Sequence, residues 1–302
     1  MKLPLQKIPA NKKIIFSTWI PAFAGMTVRE LPSTNYKLLS TTLPTTLAIQ
    51  KIIPEAAGIK TFVFKSDLEF AAGQFVMVWL PRVDEKPIGI WRKKAGEFCL
   101  SISAVGKFSC AMHQLKVGDK VGIRGAFGRG FTLPVGKKKI ALIGGGFGVA
   151  PLLSILSQAK GCAADVIIGA RSKNLVFGKK HAEALGGKVL IATNDGSCGE
   201  KCFNTELFER MLLKKKYDFV YSCGPELMMQ RVAEICKQKK IPCEISMERY
   251  MKCGIGVCGS CAVDDSGFCV CSHGPTIEGN LALKMVEFGK YHRDSVGERK
   301  NF

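Results

Sequence analysis

The feature that most constrains this chain is a run of cysteines close to its C-terminal end. Cys253-Gly-Ile-Gly-Val-Cys258-Gly-Ser-Cys261 spaces three thiols as C-x4-C-x2-C, and Cys269 and Cys271 follow. This is the spacing by which a [2Fe–2S] loop supplies three of its four ligands. Two irons need four thiolates converging on a small volume. Glycines at 254, 256 and 259 allow a tight loop whose N–H groups turn toward the sulfurs and stabilise the cluster's negative charge. The fourth ligand lies downstream. Asp264-Asp-Ser-Gly267 predicts a hairpin turn with its returning strand over 268–271. On a strand Cys269 and Cys271 point to the same face, so alternation does not choose between them. Zinc is the other metal that four cysteines hold, but it usually takes paired C-x2-C knuckles and this run contains one.

The remaining cysteines fit the same reading. There are thirteen in 302 residues, an odd and uneven set. A chain of this length buries a core without staples. Metal chemistry in a reducing, cytoplasmic setting is therefore expected rather than a secreted disulfide scaffold. Forty-four Lys and Arg against 25 Asp and Glu give a formal charge of +19, yet they are dispersed and no basic block is interleaved with aromatics. That argues against a nucleic-acid partner. The longest apolar run, 140–156, falls short of the ~20 residues of a spanning helix and contains three consecutive glycines and Pro151, so no membrane span is expected. At the other end, Lys12 and Lys13 precede an apolar stretch with Ala22-Phe23-Ala24, the outline of a signal peptide, but Pro21 interrupts it. WIPAFAGMT resembles translated repetitive DNA, and Met26 is a plausible internal start. Residues 1–46 are expected to be an extension, disordered or spurious, outside the fold.

Three zones follow. From 47 to 136, short alternating runs at 60–65, 74–80 and 98–103 lie between Gly, Pro and Asp turns, with one helical segment at 109–115. They predict a small antiparallel β-barrel. From 137 to 244, apolar runs at 140–143, 164–169, 188–192 and 218–222 alternate with helical stretches at 150–159, 174–185, 204–213 and 225–238. This is the grammar of an α/β domain on a parallel sheet. Residues 245–302 form a small cysteine-rich subdomain and tail with too little apolar sequence for a core of their own. The fold class is thus α+β and multidomain.

Glycines place the ligands. Gly144, Gly145, Gly146 and Gly148 end an apolar run and open a helix with Pro151 in its first turn. Such a turn lets a phosphate approach backbone N–H groups. Cys223-Gly224-Pro225-Glu226 repeats the arrangement at 218–222, and two turns at one sheet edge make a dinucleotide crevice. In the barrel zone Gly125 and Gly128 form a loop that suits a flat cofactor, or a plain hairpin. Arg171-Ser172-Lys173 suits a 2′-phosphate, or is a polar loop, so the sequence does not choose between NADH and NADPH.

Taken in order, barrel, GGGFGVAP (144–151), CGPELMM (223–229) and MERYMKCGIGVCGSC (247–261) resemble the ferredoxin–NADP reductase superfamily. More narrowly they resemble the electron-transfer subunits of dihydroorotate dehydrogenase B, as does TNDGSCGEKCF (193–203). The resemblance spans roughly residues 47–279. It implies FAD in the barrel, NAD(H) on the parallel domain and a [2Fe–2S] cluster bound by Cys253, Cys258, Cys261 and Cys271. Cys271 is chosen because in the family the last ligand directly precedes a short segment ending in Gly-Pro, here Gly274-Pro275. The loop from Cys261 is short for the family, which keeps Cys269 open. Flavin contacts are implied at Lys86, Pro87, Ile88, Gly89, Ser103, Gly106, Lys107 and Ser109. Here Lys86-Pro-Ile-Gly89 replaces the family's Arg-Pro-x-Ser, losing the bidentate fork and a hydroxyl. Phe108-Ser109 replaces a Gly-Thr pair, although Ser109 still suits a helix cap. Cys223 is placed beside the nicotinamide and flavin, to polarise hydride transfer or simply to pack. The implied partner is an FMN-containing dihydroorotate dehydrogenase catalytic subunit, in a heterotetramer of two plus two. An NAD(P)H–ferredoxin reductase or sulfide dehydrogenase subunit is the alternative, but those relatives tend to carry Asp where Cys253 stands. Of the histidines, His113, His181 and His292 are expected in surface or packing roles, and His273 beside the cluster.

Overall fold

The computed structural model describes residues 43–92 and 94–302. The expectation for the N-terminal extension lies outside the described residues, except that the first strand already begins at Thr45.

Strands β1 (Thr45–Ala56), β2 (Ile59–Lys65), β3 (Phe75–Leu80), β4 (Asp84–Trp91), β5 (Glu97–Ser103) and β6 (Lys120–Phe127) close into an antiparallel barrel in the order β1-β2-β5-β4-β3-β6. Period-two alternation sends Phe62, Phe64, Phe98 and Leu100 inward, all fully buried, with the Phe64 and Phe98 rings stacked at 5.2 Å. Helix α1 (Lys107–Gln114) plugs one end through Phe108 and Met112. It starts two residues earlier than the sequence suggests. Gly106 stands at the cap, and Ser109 folds its hydroxyl back onto the N–H groups of Val105 and Gly106, at 2.9 and 3.0 Å.

The second layer alternates β7 (Lys139–Gly145), α2 (Val149–Gln158), β8 (Ala163–Ala170), α3 (Lys179–Ala184), β9 (Lys188–Thr193), β10 (Glu200–Lys201), α4 (Asn204–Leu212), β11 (Phe219–Cys223), α5 (Glu226–Lys239) and β12 (Cys243–Ser246). Strands run parallel in the order β10-β9-β8-β7-β11-β12. Near-continuous burial of Ile140, Leu142, Val166 and Ile168 fits a sheet covered on both faces. Helix α3 is shorter than the 174–185 stretch, because Gly178 at φ +84° delays its start.

Helix α2 docks the sheet onto the barrel. Pro151 fills the space left open by Gly89, and the Ser154 hydroxyl donates to the Ile90 carbonyl at 2.7 Å. Further along, His181 meets Glu55 at 2.7 Å and packs on Trp91, and the Tyr221 hydroxyl donates to the Thr132 carbonyl. These ties fix the angle of the cleft between the two layers.

The C-terminal zone carries β13 (Ala262–Val263), β14 (Phe268–Cys269), α6 (Val270–His273), β15 (Thr276–Glu278), α7 (Gly279–Ala282), β16 (Tyr291–Arg293) and β17 (Arg299–Asn301). Strand β15 pairs antiparallel with β12, so this zone shares its sheet with the nucleotide layer. A buried ion cluster completes the attachment. Arg249 forks onto Glu226 at the head of α5 and reaches Glu287 in the C-terminal segment; all three side chains are at most 5% exposed. Glu287 also accepts the N–H of Asp264 at 3.1 Å, and Glu226 that of Gly289 at 3.0 Å. Removing one partner of a buried ion pair strands its mates. Arg249→Met is therefore expected to cost about 3–5 kcal/mol, read as a lower urea midpoint at unchanged slope.

A candidate electron-transfer site

Two clefts open into one another between barrel and sheet. The smaller, about 410 Å³, is lined by Lys86, Pro87, Ile88 and Gly89 of β4, by Ser103, and by Gly106, Lys107 and Ser109 at the head of α1. Two lysines and a helix N-terminus offer donors to a pyrophosphate, with Asp84 beside Lys86. Ile88, Met251 and Pro151 add apolar lining. The larger, about 1360 Å³, passes Gly145, Gly146, Gly224 and Pro225 and reaches Arg171, Phe203 and Arg231. It lies at the carboxyl ends of β7, β8 and β11, where open α/β sheets bind ligands. Lys86, Ser103, Phe147 and Glu248 line both clefts and mark where two ligands would touch.

Glycine builds this junction by close approach. A β-carbon on Gly148 would sit 2.6 Å from the Cys223 carbonyl oxygen, and Gly224, at φ +148°, stands against the backbone of Gly145. The two turns thus touch main chain to main chain. Gly144 and Gly148 line neither cleft, and nor do Gly125 and Gly128. Gly128 instead lets the barrel approach the Gly274 carbonyl and Pro275, and Gly125 lies against Phe75 and Phe127.

Lys86 of β4 is held on the wall that both clefts share. Its ammonium lies 2.7 Å from Asp84, 3.3 Å from the Tyr250 hydroxyl and 4.7 Å above the Tyr250 ring. Burial works against its charge, but Asp84 and Tyr250 outweigh that and hold its pKa above the usual lysine value. Cys223 is buried in the smaller cleft near Ser246. Burial, and then nearby Glu248, push its thiol up, so it stays neutral. A neutral thiol suits a packing or polarising contact rather than nucleophilic attack. Glu248 is exposed on the wall of both clefts. The protein packed around it, and then the charge of Glu226, raise its carboxyl above the usual glutamate value, with Arg249 opposing.

The cysteine loop closes beside this junction. Gly254 and Gly256, both at positive φ, turn backbone donors inward. The N–H groups of Ile255 and Cys258 lie 3.5 Å from Cys253 Sγ, Cys271 N–H lies 3.3 Å from Cys261 Sγ, and Gly256 N–H lies 3.1 Å from Cys271 Sγ. Among the described residues no three His, Cys, Asp or Glu side chains converge on one metal position. Cys253 neighbours Cys258, and Cys261 neighbours both Cys269 and Cys271, so five thiols lie in one loop region where a two-iron cluster needs four. The Cys271 contact lowers Cys261 to about 6. At Cys258 burial is overcome by hydrogen bonds from Ser260 and Cys253, giving about 7. Both favour the thiolate, the metal-binding form.

The returning strand expected over 268–271 stops at Cys269, and Val270–His273 is a helical turn. The bend buries Cys271 and brings its N–H and Sγ onto the loop. Cys269 remains half-buried with its N–H on His273 Nδ1 at 3.0 Å. Phe75 and Met251 line the smaller cleft and pack in the same apolar cluster as Cys261 and Cys271. The loop and the cleft are therefore separated by side chains that touch both. The sequence reading assigned no role to Glu248, Arg249 or Tyr250 within MERYMKC, nor to Arg293 and Phe302, and gave His292 only a surface or packing role; these last three line the larger cleft. A charged, aromatic triplet beside a cysteine loop was the available signal for the first group. The second depends on chain reversal far along the sequence.

A barrel docked on a parallel sheet, with joined clefts and a cysteine loop, defines a flavin- and pyridine-nucleotide-dependent reductase of the ferredoxin–NADP reductase type. Comparisons with known proteins narrow this. The iron–sulfur cluster binding domain of dihydroorotate dehydrogenase B matches residues 248–282. The chain is 43% identical over 258 residues to the probable dihydroorotate dehydrogenase B (NAD(+)), electron transfer subunit of Methanocaldococcus jannaschii, spanning 85% of this chain and 98% of that one. It is 41% identical to the counterpart from Methanothermobacter thermautotrophicus, over 86% and 98%. Among solved structures, the NADH-dependent reduced ferredoxin–NADP oxidoreductase superposes with a TM-score of 0.71 at 26% identity, covering 78% of this chain and 88% of that chain. The ferredoxin reductase of carbazole 1,9a-dioxygenase, at 18% identity and a TM-score of 0.58, shares the fold. The chain belongs to the family of dihydroorotate dehydrogenase B electron transfer subunits, oxidoreductase components that work with a catalytic subunit.

Cys258→Ser is expected to lose bound iron, measured by colorimetric assay, while NADH still bleaches the flavin. Cys271→Ala is expected to lose iron and Cys269→Ala to retain it.

Proposed function

We propose that this chain passes electrons between NADH and an FMN-containing dihydroorotate dehydrogenase catalytic subunit in pyrimidine biosynthesis. The observation that carries this reading is the junction: two clefts share Lys86, Ser103, Phe147 and Glu248, and side chains of the smaller one pack against the cysteine loop. Bound here, NAD(H) would supply two electrons as hydride, FAD the exchange between two-electron and one-electron chemistry, and a [2Fe–2S] cluster a one-electron acceptor.

The chain's own residues do the placing. Gly145, Gly146, Gly224 and Pro225 hold the nucleotide along the sheet edge, with Phe147 between the clefts. Lys86, Lys107 and the head of α1 take the flavin pyrophosphate, and Pro87, Ile88, Gly89, Ser103, Gly106 and Ser109 line its bed. Cys223 offers an uncharged thiol at the reacting face. Cys253, Cys258, Cys261 and Cys271 hold the cluster, and burial of Cys261 and Cys271 excludes water on the flavin side. Two copies with two catalytic subunits form the assembly, in the cytoplasm; among the described residues no helix is long and apolar enough to cross a membrane.

The likeness to the NADH-dependent reduced ferredoxin–NADP oxidoreductase supports a second reading, reduction of a ferredoxin. A reconstitution assay separates the two. The purified chain should reduce artificial dyes with NADH but leave dihydroorotate untouched. Dihydroorotate-dependent NAD+ reduction should emerge on adding the FMN-containing subunit. Rapid ferredoxin reduction with no gain from that subunit would favour the second reading.

A further inference from the structure

An ion pair on the barrel wall faces the cysteine loop and has no part in the clefts. Arg124 of β6 forks onto Glu85 of β4 across β3, with Nε and Nη2 at 2.7 and 2.6 Å from the two carboxylate oxygens. The same Nη2 donates to the carbonyl of Cys253 at 3.1 Å. Both side chains are partly buried, 11% and 23% exposed, so solvent and salt screen the pair less than a surface bridge. The contact is firmly built. Gly254, the next residue of the loop, lies against Met77 and Phe127, and Met77 is the β3 partner of Arg124 in the register.

The order of charges matters. Arg124 donates to the carbonyl of the first cysteine through the same Nη2 that meets Glu85, and among the described residues Glu85 itself makes no hydrogen bond to the loop. Of the pair, the guanidinium is the group in contact with the loop, where the charge of the Cys253 thiolate acts on it. A bound [2Fe–2S] cluster gains one negative charge on reduction, and its potential responds to net charge and to hydrogen bonds around the ligands. A fixed positive charge at one ligand favours the reduced form, and a carboxylate paired with it tempers that preference. Arginine keeps its charge at any working pH, so the effect does not depend on titration.

Building on the electron-transfer reading, we propose that Arg124 is a positioning residue that, together with Glu85, sets the reduction potential of the cluster held by Cys253. Glu85 lowers that potential and Arg124 raises it. The two substitutions therefore shift it in opposite directions, which damage to the loop would not do.

The test is a redox titration of the whole protein, purified without oxygen and followed by electron paramagnetic resonance, alongside iron counts. Arg124→Gln should lower the potential, by about a tenfold change in the reduction equilibrium, ~59 mV for one electron. Glu85→Gln should raise it, and it leaves the Arg124 contact with Cys253 in place should the first variant lose iron. Arg124→Lys should remain near wild type because the charge persists, and the double Gln variant should return toward wild type. Single-site shifts of the same sign, or no shift in Glu85→Gln with iron intact, would overturn the proposal. A wild-type protein with no cluster signal would count against the electron-transfer reading itself.

Discussion

Arg249 is the joint on which the rest of the site depends. The cysteine zone has too little apolar sequence to fold alone; it packs in one cluster with Phe75, Met77 and Met229, and a guanidinium shared between Glu226 and Glu287 locks it there. Glu226 begins the helix that follows the second glycine turn, and Glu287 also grips the hairpin through Asp264. Nucleotide turn, cysteine loop and C-terminal segment therefore meet at a single buried charge. Such a cluster contributes little net stability when complete, but it penalises any arrangement in which the three pieces part. Strand β15 adds a directional tie, since its pairing with β12 fixes the register of the segment that follows Cys271.

Around that joint the electrostatics separate by task. Within the loop, Cys258 and Cys261 are pulled toward the charged form by hydrogen bonds and neighbouring thiols, as metal binding requires, while the contact with Cys261 pushes the Cys271 thiol up. In the cleft, burial keeps Cys223 neutral. Lys86 keeps its charge at the cleft wall because its ammonium is steadied between Asp84 and the Tyr250 ring.

Much of this was legible in the sequence because it is local. Alternation between 60 and 103 reported the barrel, and the apolar runs at 140–143 and 218–222 reported parallel strands with glycine turns at their ends. The spacing of Cys253, Cys258 and Cys261 reported a loop. What stayed hidden depends on distant partners. Alternation treated 268–271 as one strand, whereas Cys271 turns into α6 to reach the loop. Gly125 and Gly128 read as a cofactor loop or a plain hairpin, and what the sequence did not show is their close approach to Phe75, Gly274 and Pro275. Arg249 carries no local mark of its partners 23 and 38 residues away. The tail that walls the larger cleft is recognisable only once β16 and β17 fold back onto Asp264.

The central claim is that current flows from a nucleotide on the sheet, through the cleft, to iron gripped by the loop. Adding NADH to protein purified without oxygen and freezing it for electron paramagnetic resonance tests this directly. The account predicts a reduced-cluster signal approaching about one spin per chain, as a single [2Fe–2S] centre gives on taking up one electron. A sample whose flavin bleaches fully while no such signal forms, even with added dithionite, would contradict it.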